Sequence, residues 1–281
     1  MEFTKATAES LGHLGLIAAT LQDLDIMGKI NSQLGLLDEG RVSYGHRVGA
    51  MILNGLGFCN TALYMTPRFF HDKPLSLLLG ADIGAKSLND DCLGRCLDKI
   101  STYGVTKWYS ELAFKIVHEA NMLSSRLHLD STTLSLYGTY DDYTDNQVLT
   151  PCHGYSKDSR PDLKQVTLQC VAMGKASLPI WMESLNGNSS DKKSFPETVK
   201  RVDSFYKALE SAPNLRFIAD SALYGPELDL IEVDWLTRVP ENYKEAKALC
   251  AQEEVAWVPL TDERYQTSVS YTHLRAHETR E

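Results

Sequence analysis

The sequence predicts an α/β (α+β) protein: a helical N-terminal domain over residues 1–125, then a mixed sheet flanked by helices over residues 126–267, in the order βββαβαβ. Three observations carry that prediction. Apolar residues recur at three and four positions up to about residue 125. At residue 126 the period drops to two, as a half-buried strand requires. Further on, a strongly periodic helix separates two groups of short strands.

In the first half, Leu11, Leu14, Ile17 and Leu21 keep helical spacing, and Val48, Met51, Ile52 and Leu56 repeat it. Pro67–Pro74 is the expected internal break. A helix is predicted from Asn89, whose side chain can cap free N–H groups ahead of Leu93, Cys96, Leu97 and Ile100, with Gly104 as its stop. A last helix, Trp108 to Ala120, carries Leu112, Ile116 and Val117. No fixed-period repeat is present.

In the second half, Arg126–Leu134 alternates Leu127 and Leu129 against His128, Asp130 and Thr132. Lys164–Met173 sets Val166, Leu168, Cys170 and Ala172 against Gln165, Thr167 and Gln169, and Leu178–Leu185 reads as a third strand. A polar loop, Gly138–Pro161, joins the first two. Ser194 and Glu197 have the spacing of a capping box, with Pro196 in the first turn and Phe195, Val199, Val202, Tyr206 and Leu209 as one stripe. Leu215–Asp220 and Trp235–Val239 are strands four and five, with a helical turn expected around Pro226–Ile231.

Composition narrows the function. Of 281 residues, 43% are hydrophobic and 9% aromatic, too many for a disordered chain. No apolar run approaches the ~18 residues of a membrane span, and the opening residues lack the order of a signal peptide. Six cysteines in this length make no disulfide scaffold, and Cys92 with Cys96 has no second pair to complete a zinc site. These point to a reduced, cytoplasmic protein without a membrane partner. The net charge of −9 excludes indiscriminate attraction to nucleic acid, so any DNA contact must come from local basic clusters.

Two aspartates stand out: Asp130 inside the first strand and Asp220 at the end of the fourth. A carboxylate buried in a strand needs a partner. Two carboxylates on adjacent strands repel each other unless a cation lies between them, and Mg²⁺ suits such a pair. Each Asp could equally cap a strand end or a turn, and spacing alone does not separate these readings. The run Asp141, Asp142 and Asp145 fits no EF-hand spacing and reads as a solvated loop.

The strings HLDSTTLSLYG, HGYSKDSRPDLKQ, LNGNSSD and FIADSALYG together resemble the DDE transposases of bacterial insertion sequences, in the 1634 branch of the Insertion Sequence 4 superfamily. The likeness runs from about Leu11 to about Thr267. It implies a ribonuclease H-like catalytic domain behind a DNA-binding helical domain. Asp130 and Asp220 would be the first two acids of the catalytic triad and would ligate Mg²⁺ or Mn²⁺. Two such ions ~3.5–4 Å apart activate water to nick the element end and then the freed 3′-hydroxyl for strand transfer. The resemblance makes Lys157, Arg160 and Lys164 phosphate contacts, with Asn188 and Arg238 as further DNA contacts. From charge alone the first three are a hairpin tip balanced by Asp158 and Asp162. The implied partners are terminal inverted repeats and target DNA, with a homodimer on DNA, so the protein would work at the nucleoid.

The family's third acid is a Glu on a late helix, after a Tyr and an Arg separated by two residues. Here Tyr271, Arg275 and Glu278 have the wrong spacing. Residues 268–281 look like a translated sequencing adapter and are expected to be foreign. On this reading the chain is a C-terminally truncated transposase, inactive as it stands. The alternatives are a non-catalytic fragment that recognises terminal repeats, or a metal-independent hydrolase using the two aspartates as acid and base.

Overall fold

The computed structural model describes residues 8–37, 41–58, 61–140, 149–209, 214–225, 232–252, 258–259 and 266–267. The chain divides into two compact units, residues 1–119 and 120–281.

The first unit is helical: α1 (Leu14–Asp23), α2 (Ile26–Leu34), α3 (Tyr44–Gly55), α4 (Thr66–Phe69), α5 (Leu75–Leu79), α6 (Asp90–Tyr103) and α7 (Val105–Glu119). One core runs through it, with Ile30, Leu53, Leu78, Leu88, Leu93 and Cys96 fully buried. Helices α2 and α3 approach so closely at Gly45 that a Cβ there would lie 2.1 Å from the Met27 carbonyl oxygen. The buried Arg47 is matched by main-chain acceptors, with Nε on Val42 O at 2.8 Å and Nη1 on Cys92 O at 3.1 Å. At the start of α6 the Asn89 side chain accepts from the Cys92 N–H at 2.9 Å, as its cap position predicts. Gly104 stops the helix at φ +97°, its N–H shared between the Ile100 and Ser101 carbonyls. Three expectations change: the last helix begins at Val105 instead of Trp108, Leu97 faces solvent, and the Pro67–Pro74 break holds α4 and the approach to α5.

The second unit is a mixed five-stranded sheet, β1 (Arg126–Leu136), β2 (Lys164–Met173), β3 (Leu178–Asn186), β4 (Arg216–Ala219) and β5 (Asp234–Thr237), in spatial order β3-β2-β1-β4-β5. Antiparallel pairing joins β1 to β2 and β2 to β3; parallel pairing joins β1 to β4 and β4 to β5. Only β2 therefore runs against the others. Helix α8 (Asp191–Lys207) follows β3, α9 (Lys244–Cys250) follows β5, and Val258–Pro259 pairs with Gln266–Thr267 as β6 and β7. The helical turn expected at Pro226–Ile231, the 141–145 acidic run and the 268–281 tail lie outside the described residues.

The face that packs on α8 carries Leu127 and Leu129 from β1, Val171 and Met173 from β2, and Phe217 from β4, against Phe195, Val199, Val202 and Tyr206. Toward the other end of this face, Gln165, Thr167 and Gln169 are as buried as the apolar residues. The burial of Gln169 is compensated by bonding: Thr198 Oγ1 donates to Gln169 Oε1 at 2.7 Å, and Gln169 Nε2 donates to Ser194 Oγ at 3.1 Å. Arg201 extends the network, with Nη2 3.0 Å from both Glu183 Oε2 and Thr198 Oγ1. The opposite face holds the apolar set Val166, Leu168, Cys170 and Ala172, only half buried.

The capping box is overturned. Helix α8 starts one turn earlier, with Ser190 as cap residue and Asp191 in its first turn. Ser194 lies inside the helix and accepts from Gln169, while the Glu197 carboxylate sits 3.7 Å from Arg201. Asp191 stabilises the earlier start twice: it complements the helix dipole, and its Oδ1 accepts from the Ser131 hydroxyl at 2.8 Å. Pro196 thus falls in the second turn, where the helix lacks the bond that would reach back to Lys192.

Candidate functional site

Alternation along β1 puts His128, Asp130 and Thr132 on the sheet face away from α8. Asp130 is therefore not the buried acid that its place inside a strand suggests: its side chain is 84% exposed. The reason is the open face, where water solvates the charge. Asp130 Oδ1 accepts the N–H of Ser131 at 2.8 Å and stands 3.7 Å from Lys157 Nζ. Across the β1–β2 pair Asp130 faces Cys170, whose thiol pKa is raised first by burial and then by the carboxylate's charge.

Strand register is set by a row just before the predicted acids. His128 on β1 pairs with Ile218 on β4, and Ile218 pairs with Leu236 on β5. Two residues beyond that row, in strands running the same way, come Asp130, Asp220 and Arg238. Asp220 ends β4 by turning the chain: its Oδ1 accepts the Ala222 N–H at 2.9 Å, and its carbonyl accepts from the Thr237 hydroxyl. Each aspartate thus engages one carboxylate oxygen in a local main-chain bond. The second oxygen of each has no partner among the described residues. Arg238 is exposed just past β5.

The basic residues of the hairpin are placed unevenly. Lys157 reaches back to β1: its N–H donates to Thr133 Oγ1, and its Nζ donates to both the carbonyl and the hydroxyl of Ser131. Arg160 forms a two-pronged bond to Asp162, at 2.8 and 2.7 Å, and touches the Tyr137 hydroxyl at 3.3 Å. That pairing holds the Asp162 carboxyl down at about 2 and raises the guanidinium above its ordinary value. Here the charge-balanced tip is what the geometry displays, with Asp162 as the partner. Lys164 donates to the Thr139 and Tyr140 carbonyls.

Asn188 borders a polar cleft of about 360 Å³, between the N-terminus of α8 and the α8-side face of the sheet, with Ser131, Thr133, Lys157, Gln165 and Asp191 on its walls. The cleft depends on residues that local reading passes over. From Cys152, bonded both ways to Gln165, the chain crosses this face to Lys157. Gln165 Nε2 holds the crossing by donating to Tyr155 O at 3.1 Å and Gly187 O at 2.7 Å. At Gly187 an added Cβ would lie 1.9 Å from Gln165 O, and at Gly154 it would lie 2.1 Å from Gly187 O. The signal available was the two glycines inside HGYSKDSRPDLKQ and LNGNSSD, which mark close backbone approach.

Among the described residues no group of three His, Cys, Asp or Glu side chains is placed to hold a metal ion, and no helix is long and apolar enough to cross a membrane. The fold is a mixed α/β unit in which Asp130 lies within β1 and Asp220 directly follows the neighbouring parallel strand β4. Residues 6–114, most of the helical unit, match the model of a family described as a domain of unknown function (DUF4277). No curated protein matches the chain. A piggyBac transposase synaptic complex with hairpin DNA, solved by cryo-EM, overlays with a TM-score of 0.40 at 12% identity. That overlay covers 87% of this chain, which spans 56% of the piggyBac chain. The Mos1 transposase paired-end complex with the left transposon end gives 0.26 at 12% identity, covering 77% of this chain and 76% of that one. Both overlays are loose.

Proposed function

We propose that this chain carries the catalytic aspartates of a DDE-type DNA transposase, a metal-dependent polynucleotidyl transferase that cleaves element ends and joins them to target DNA. The observation that carries the reading is the register His128↔Ile218↔Leu236 across three parallel strands, from which Asp130, Asp220 and Arg238 each follow by two residues in the same chain direction. It agrees with the resemblance to the Insertion Sequence 4 superfamily, which singles out the same two acids. The strand order, with β2 alone reversed, supports a ribonuclease H-like core.

A divalent cation such as Mg²⁺ or Mn²⁺ fits the donor chemistry, since each carboxylate keeps one oxygen without a partner among the described residues. Asp130 and Asp220 would hold it, and when bound it supplies Lewis-acid activation of a phosphodiester. The chain's own cations serve the DNA. Arg238 stands in the acids' row to meet a phosphate, and Lys157 lies beside Asp130 with its side chain 39% exposed. Asn188 would add a neutral contact at the cleft. Arg160 and Lys164 take part only by giving up Asp162 and the 139–140 carbonyls. Pairing two element ends calls for a homodimer on DNA.

The test, made on a protein that joins these residues to a third acidic ligand, is nicking of DNA that carries the element ends, with Mg²⁺ or Mn²⁺. Cleavage should require the metal and fall to background in Asp130→Ala and in Asp220→Ala; full activity in both variants would sink the proposal. A second reading, binding of terminal repeats without cleavage, is favoured if no third acidic ligand joins the pair. It is distinguished by salt-sensitive, sequence-preferring DNA binding that survives both substitutions.

A further inference from the structure

Lys157 is held in place more firmly than a residue that only awaits a phosphate. Its main chain is tied to Thr133 Oγ1 at 3.3 Å. Its ammonium donates to the Ser131 carbonyl and, at 3.0 Å, to the Ser131 hydroxyl. That hydroxyl is itself fixed, because its proton goes to Asp191 Oδ1 at 2.8 Å and its lone pairs must face the lysine. The chain of contacts Asp191–Ser131–Lys157–Asp130 therefore stations a positive charge 3.7 Å from one of the two acids. Arg238 stands in the same row, one strand beyond Asp220.

We infer that Lys157 is the resident cation of the DNA-free site and couples DNA engagement to metal loading. The inference rests on the metal and DNA reading above and adds a positioning residue to it. An ammonium within 4 Å of a carboxylate opposes the approach of a dication to that carboxylate. A DNA phosphate offers the same ammonium a charge-assisted bond, and the flexible four-carbon stem lets it turn from Asp130 to the phosphate. Once Lys157 has turned, Asp130 is relieved of the competing charge. DNA then tightens metal binding, and by linkage the metal tightens DNA binding by the same factor.

The experiment is Mn²⁺ binding to the full chain, read from the free-ion electron spin resonance signal at low ionic strength, with and without a short DNA duplex. Without DNA, Lys157→Gln should bind Mn²⁺ about fivefold more tightly than the unaltered protein, and Lys157→Arg should restore the weaker affinity. The gain in Mn²⁺ affinity on adding duplex should shrink by the same factor in Lys157→Gln. Should Lys157→Gln lose its fold by circular dichroism, Ser131→Ala, which removes one of the two acceptors that hold the ammonium, should shift the affinity in the same direction by a smaller factor. Equal Mn²⁺ affinity in the unaltered protein and Lys157→Gln, with weaker binding in Asp130→Asn, overturns the coupling and leaves the metal reading standing. Absence of saturable Mn²⁺ binding in both overturns the two together.

Discussion

Two glycines, Gly154 and Gly187, lack a side chain because none would fit between the strands of chain they bring together. A methyl at residue 187 would have to move main-chain oxygens of both Gln165 and Cys152, at 1.9 and 2.6 Å. Neither oxygen belongs to a flexible side chain that could yield. Gly187→Ala should therefore lower the unfolding free energy by about 1–3 kcal/mol, measured by urea denaturation. Asp162 offers a second check at this scale. Its folded pKa is depressed to about 2 from an ordinary 3.8 by Arg160, so the pairing contributes stability above the ordinary value and loses it as pH falls through 2. An NMR titration of Arg160→Ala should move the Asp162 midpoint up toward 3.8. An unchanged midpoint would mean that Arg160 is not the cause.

Elements whose limits are set by neighbours in sequence were legible, and those set across the fold were not. Helix α6 announces itself because Asn89 caps it three residues away and Gly104 ends it with its own backbone. The five strands of the main sheet are visible in the sequence, and β2 matches residue for residue, whereas the short β6–β7 pair is not. The start of α8 misleads because Ser190 and Ser194 both precede the apolar stripe. The choice falls to Asp191 and its bond to Ser131, 60 residues away. Asp130 and Asp220 stand out by their places in the strand pattern, but the exposure of Asp130 follows from which sheet face α8 covers, and no local pattern records that. The polar set on the covered face gives a test. Thr198→Val removes the donor to Gln169 Oε1 and an acceptor for Arg201, both inside the network, and should cost about 1–3 kcal/mol of stability by thermal or urea unfolding. A loss below 0.5 kcal/mol, about the size of an ordinary surface change, would show that the network is not needed under α8.

At the scale of the whole molecule, the first unit has a core of its own, running from Leu14 to Leu112. Residues 1–119 expressed alone should then unfold in one cooperative transition by circular dichroism. A non-cooperative melt would show that this core is insufficient. The second unit is lopsided. Val166, Leu168, Cys170 and Ala172 are half exposed, Leu134 is 49% exposed and Leu236 is 59% exposed, all on strands of one sheet. A sheet surface of that kind favours self-association. Leu236→Lys should reduce light scattering at a given concentration while leaving the fold intact.

The passage of chain from Cys152 to Lys157 bears on the order of events during folding. Its anchors are Gln165 on β2, which bonds Cys152 and Tyr155, Gly187 at the corner before α8, against which Gly154 packs, and Thr133 on β1. The Cys152–Gln165 contact is local, but Gly187 and Thr133 come into place only when the β2–β3 and β1–β2 pairs have closed. The far end of the crossing should therefore form after those pairs, and the cleft beneath it with it. In a refolding experiment followed by amide protection, the Lys157 N–H should be protected after those of the central strands.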